Sequence, residues 1–127
     1  MVSISPNHII EIDRGDDASF AFRVPFWGAG VNDEQYVLKE GDTLYVGIME
    51  PNSSFENALV RKAYTSADND ENGYVTISIA SNDTICLLPG TYYIQAKLKR
   101  LEGKDDSGND VYSIGTVLGK SKFIVLD

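Results

Sequence analysis

Leu88-Pro89-Gly90-Thr91-Tyr92-Tyr93-Ile94-Gln95-Ala96-Lys97-Leu98 is a corner followed by a strand. Pro89-Gly90 breaks any regular element, because proline fixes φ and glycine accepts conformations closed to other residues. From Tyr92 onward the side chains alternate: Tyr92, Ile94, Ala96 and Leu98 fall on one side, Tyr93, Gln95 and Lys97 on the other. That period of two belongs to a strand with one face on a core and the other in water.

The same alternation recurs on both sides of this segment. Ala18, Phe20, Phe22 and Val24 share a face in 17–24, Leu44, Val46 and Ile48 in 43–49, and Val75, Ile77 and Ile79 in 74–80. Shorter strands are expected at 9–13, 59–64, 111–118 and 121–126. Turn clusters separate them at Arg14-Gly15-Asp16, Glu40-Gly41-Asp42, 69–73, Pro89-Gly90 and 105–110. No helix of useful length is expected. Short strands at regular spacing, each apolar on one side, indicate two sheets packed face to face. In immunoglobulin-like sandwiches a tyrosine near the start of a late strand bonds back to the preceding corner. Tyr92 and Tyr93 are both placed to do so. The fold expected is therefore all-β, an immunoglobulin-like antiparallel β-sandwich of roughly 7–9 strands. The Cys…Trp…Cys spacing of antibody domains is missing, so the kinship is one of architecture.

The 127 residues fit a single domain over 1–127, and 43% hydrophobic residues can build its core without metals or disulfides. Eleven basic residues against nineteen acidic ones give a net charge of −8. Nucleic acid and anionic membrane are accordingly poor partners, since both are bound through clustered Lys and Arg. Cys86, the single cysteine, lies in the apolar run Ile85-Cys86-Leu87-Leu88 and is expected to be a small buried hydrophobe. No signal-peptide pattern and no apolar run of the roughly 20 residues that span a bilayer is visible, so a soluble protein is expected.

Parts for catalysis are scarce. His8 is the one histidine. No Gly-x-Ser-x-Gly, Gly-x-Gly-x-x-Gly or Walker-type loop occurs, and a zinc site would have only Cys86 and His8 to draw on. The expected protein is not an enzyme and needs no cofactor. Asp68-Asn69-Asp70-Glu71-Asn72-Gly73 places Asp68, Asp70 and Asn72 at the first, third and fifth positions of a calcium loop. Its twelfth position, however, is Ile79 and not the bidentate Glu of an EF-hand. The two readings are a weak calcium site at Asp68, Asp70 and Asn72, or an ordinary acidic turn. Arg14-Gly15-Asp16 spells the tripeptide that integrins read, but three residues match by chance, and a glycine-centred turn between strands needs no further reason. Phe26 and Trp27, in the irregular stretch 25–36, are candidate partner-binding residues; a plug for one end of the core is the alternative.

Several stretches resemble small β-sandwich proteins of bacteriophage and prophage structural-gene clusters. Ile10-Glu11-Ile12-Asp13-Arg14-Gly15-Asp16-Asp17-Ala18-Ser19-Phe20 is similar to their opening strand, Gly-Asp turn and following strand. Tyr36 to Leu44, with Lys39-Glu40-Gly41-Asp42, is similar to their turn into an apolar strand. Asn82-Asp83-Thr84 followed by Leu88-Pro89-Gly90-Thr91-Tyr92-Tyr93, and the ending Phe123-Ile124-Val125-Leu126-Asp127, complete the likeness. The family it most resembles is the N-terminal domain of phage baseplate upper proteins. The resemblance implies a virion structural or attachment module, a homo-oligomer whose partners are its own copies or other virion subunits. It carries over no catalytic or ligand residue. The alternative from another class is a carbohydrate- or cell-surface-binding module built on Trp27 and nearby tyrosines, with calcium at Asp68 and Asp70.

Overall fold

A computed structural model describes residues 2–4, 9–24 and 36–127. Its strands are β1 (Val2–Ile4), β2 (Ile10–Asp13), β3 (Ala18–Phe22), β4 (Thr43–Met49), β5 (Val60–Tyr64), β6 (Val75–Ile79), β7 (Gly90–Lys104) and β8 (Asp110–Leu126). One short helix, α1 (Ser81–Ile85), sits between β6 and β7, and 3-10 turns occupy Phe55–Asn57 and Ser66–Asp68.

The strands form two sheets, ordered β1-β2-β8-β7-β4-β5 and β3-β6. A β4-β7-β8 set facing a β3-β6 pair is the C-F-G against B-E arrangement of an immunoglobulin-like sandwich. Every ladder is antiparallel except β2 with β8, where Ile10 is paired with Phe123 and Ile12 with Val125. The two sheets enclose one core: Ile12, Leu44, Val46, Ile48, Ile94, Leu98 and Phe123 from the larger meet Val75, Ile77 and Ile79 from the smaller. Each such side chain contributes roughly 1.5–3 kcal/mol by leaving water. On β3, Ala18 is buried and Phe20 and Phe22 pack against the core half-buried, so the alternation read from 17–24 holds.

The corner at Pro89-Gly90 is closed by Tyr92. Its hydroxyl donates to the Leu88 carbonyl at 2.7 Å while its ring packs in the core. Tyr93 pairs with Met49 and Lys122 on the opposite face. Of the two candidates, then, Tyr92 makes the corner. Tyr92→Phe keeps the ring and removes this bond, so urea unfolding is expected to show a loss of about 1 kcal/mol at unchanged m. No loss would mean that the corner is held by Pro89 and Gly90 alone.

Two sequence expectations change. The segments 111–118 and 121–126 are a single strand, because Gly119-Lys120 is taken up as a bulge: Ile94 and Ala96 on β7 face Ser121 and Leu118 on β8. An extra residue in one strand bends the ladder without ending it. Cys86, expected inside, is exposed. It follows α1 and lies between the buried Thr84 of that helix and the buried Leu87 beyond it, and the turn carries Cys86 to the water side.

The fully buried Thr84 ties α1 to the β2–β3 turn. Its hydroxyl accepts the Gly15 N–H at 2.9 Å and lies 3.1 and 3.2 Å from the Asp16 and Ser81 carbonyls. Arg14 Nε and Nη2 donate to the Ile85 carbonyl at 3.2 and 2.9 Å, capping the end of the helix. At its start, Asp83 accepts the Ala80 N–H and pairs with Lys62, each at 2.8 Å. Burial alone pushes the Asp83 carboxyl up, but Lys62 and the Ala80 N–H outweigh it and hold the group below the usual carboxylate range.

Candidate functional site

The feature that stands out is the hairpin of β7 and β8. β7 pairs with β4 only over Tyr93–Lys99 but runs on to Lys104. β8 pairs with β2 only over Phe123–Leu126 and begins at Asp110. The hairpin therefore overhangs the sheet, and among the described residues no strand lies against the outer edge of β8 along 110–122. An edge of this kind presents a row of backbone donors and acceptors to any chain able to pair with it.

Side-chain chemistry makes this edge receptive. No charged residue occurs from Val111 to Gly119, in a chain that is 24% charged. Val111, Tyr112 and Ile114 are large and apolar, yet exposed at 40%, 40% and 64%. Opposite charges on the hairpin are matched in pairs: Arg100 with Glu102 at 3.0 Å and Lys104 with Asp110 at 2.9 Å. The Ser113 hydroxyl donates to Glu102 as well, and this bond, with Arg100, holds the Glu102 carboxyl low. Asp110 is held low by Lys104. The Lys99 ammonium lies 4.2 Å above the Tyr112 ring. The turn is closed by Asp105, whose carboxylate accepts the Ser107 and Asn109 N–H groups at 2.9 Å each.

A buried carboxylate anchors the base of the overhang. Asp42 is 2% exposed. Its Oδ2 accepts the Tyr36 hydroxyl at 2.6 Å and the Lys39 N–H at 2.9 Å, and its Oδ1 accepts the Leu101 N–H at 3.0 Å. Tyr36 is thereby kept protonated: burial, then the neighbouring Asp42, push its pKa well above the usual phenol range. Gly41, at φ +94°, packs so closely under Leu101 that a Cβ there would meet its Cδ2 at 2.5 Å. The turn into β4 is thus fastened to β7 where the hairpin leaves the sheet.

The other sequence candidates are placed as follows. Phe26 and Trp27 lie outside the described residues. Asp68 ends a 3-10 turn and accepts the Thr65 N–H at 2.8 Å. Asp70 accepts the N–H groups of Asn72 and Tyr74 at 2.8 and 2.9 Å. This is the bonding of a closed acidic turn. Among the described residues no group of three or more His, Cys, Asp or Glu is placed to hold a metal ion. Arg14-Gly15-Asp16 is engaged by α1 through the contacts already given. The depression between Tyr45, Phe55, Ala58 and Arg61 is partly open to solvent, and none of the described residues that line it is acidic. Among the described residues no helix is long and apolar enough to cross a membrane.

Exposed strand edges are expected contacts of a sandwich, but the sequence does not single out this edge, nor Asp42. The charge-free run Val111–Gly119 is a usable signal for the edge, but ending a strand at Leu118 conceals that it continues to Leu126. Asp42 looks like any turn acid, and nothing local marks it as buried. Compared with protein-family models, curated proteins and solved structures, the chain shows no match in any of the three.

Proposed function

We propose that this chain is a non-enzymatic interaction domain, a structural or accessory subunit of a phage tail or baseplate. It works by burying surface against other virion subunits. The observation that carries the reading is the overhanging hairpin, whose edge is without charge from Val111 to Gly119 and exposes Val111, Tyr112 and Ile114. A solvent-facing strand is normally protected by charges, proline or bulges; in β8 the bulges and lysines fall between Val117 and Lys122, and leaving Val111–Thr116 bare is reasonable where another chain will cover it. The virion assignment is supported by the resemblance of Ile10–Phe20, Tyr36–Leu44, Asn82–Tyr93 and Phe123–Asp127 to phage structural sandwiches.

Co-expression with the products of the genes flanking its own tests this reading. A stable complex is expected by size exclusion with light scattering, and Ile114→Lys should remove the chain from it. A protein that stays free of every flanking product, and of its own copies, overturns the proposal.

A further inference from the structure

The edge of β8 has internal landmarks that bear on what covers it. From Asp110 to Thr116 every β8 residue is paired in sequence with β7, the one extra residue there being Glu102 on β7; the stretch ends at a bulge, where Ala96 and Lys97 on β7 face Leu118 and Thr116 and leave Val117 over. That stretch is centred on Ser113. Farther along, the edge is closed by β2, which starts to pair at Phe123.

Charge narrows the choice of occupant. With a net charge of −8 the body of the protein repels its own copies, but Val111–Gly119 has no charge to add to that repulsion. The hairpin turn is acidic, with Asp105 and Asp106, whereas the far end of the edge is basic, with Lys120 and Lys122. An antiparallel partner strand acidic where this one is basic is what a second copy of β8 provides.

Resting on the reading of the hairpin as a docking surface, we propose that the occupant is a second copy of this chain. Two β8 strands join antiparallel about a two-fold axis at Ser113 and make one continuous sheet across the dimer. An isologous contact of this kind is self-complementary, so every pairing occurs twice. In this register Tyr112 lies opposite Ile114 of the second copy, an aromatic–β-branched pair on the outer face of the sheet. Val111 lies opposite Gly115, and the acidic turn of each copy is directed toward the basic end of the other's edge. The second copy's turn ends short of β2; a register centred closer to Leu118 would drive it into that strand. Arg100 and Glu102, flanking Ser113, already neutralise each other at 3.0 Å and bring no net charge to the axis.

Light scattering and a cysteine trap test the proposal on the whole chain. Cys86→Ser first removes the exposed native thiol. In that background Ser113→Cys puts two thiols opposite each other at the axis, and diamide should convert most of the protein to a covalent dimer. Thr76→Cys, on the exposed side of β6, should give little. Ile114→Lys, at a position 64% exposed, should keep the fold by circular dichroism and weaken self-association by about a hundredfold. A protein monomeric at high micromolar concentration and not trapped through Ser113→Cys overturns the proposal, as does a dimer indifferent to Ile114→Lys. If such a monomer still binds a flanking-gene product, and Ile114→Lys abolishes that binding, the hairpin remains a docking surface and only self-pairing falls.

Discussion

Asp42→Ala is expected to destabilise the protein by about 2–4 kcal/mol, and Asp42→Asn by a similar amount. The alanine variant leaves the Lys39 and Leu101 N–H groups and the Tyr36 hydroxyl with no acceptor, in a place that water does not reach. Each orphaned buried donor costs about 1–3 kcal/mol, offset in part because a costly buried carboxylate is also removed. Asparagine has nearly the same shape but only one acceptor atom. With its oxygen toward Lys39 its NH2 group faces the Leu101 N–H, and with its oxygen toward Leu101 it faces the Lys39 N–H. Either orientation sets donor against donor. Urea unfolding followed by fluorescence and circular dichroism measures the loss, and an asparagine variant within about 0.5 kcal/mol of the parent would show that the network contributes little.

Phe123→Ala is expected to cost about 3–5 kcal/mol. Phe123 is fully buried where three strands meet, paired with Ile10 on β2 and Tyr92 on β7. Truncation loses the transfer free energy of the ring and leaves a cavity that the ladders on both sides prevent from collapsing. At about 2.1 cal/mol/K per residue over 127 residues, calorimetry should record a fall in Tm of roughly 11–19 °C. Phe123→Leu refills most of the space and should cost under about 1.5 kcal/mol. Equal losses for the two variants would contradict a cavity as the cause.

The fold was legible because its signals are local. Alternation at 17–24, 43–49, 74–80 and 92–98 needs only the neighbouring residues, and Pro89-Gly90 before two tyrosines marks the corner that Tyr92 closes. What escaped depends on distance. The continuity of β8 through Gly119-Lys120 is imposed by β7 alongside it, and a sequence window that sees glycine beside lysine reads a break. The exposure of Cys86 follows from α1, a helix of five residues, too short to leave a periodic trace. Asp42 is bound by Tyr36, Lys39 and Leu101, and only the first two are near it in sequence. The candidate site was partly visible as an uncharged apolar run, but whether a strand is central or at an edge is decided by its neighbours.

The parallel ladder between β2 and β8 also sets an order in time. Joining Ile10 to Phe123 closes a loop that holds almost the whole sandwich, at an entropic cost of about 4 kcal/mol if the chain between them is still unfolded. Once β3 to β7 have assembled, most of that cost has already been met. During synthesis the ribosome releases β2 long before its partner; at roughly 5–20 residues per second the wait is roughly 6–20 s. For that interval Ile10 and Ile12, buried in the finished protein, have only the three-residue β1 to pair with, and the strand that covers their other edge is still to be made.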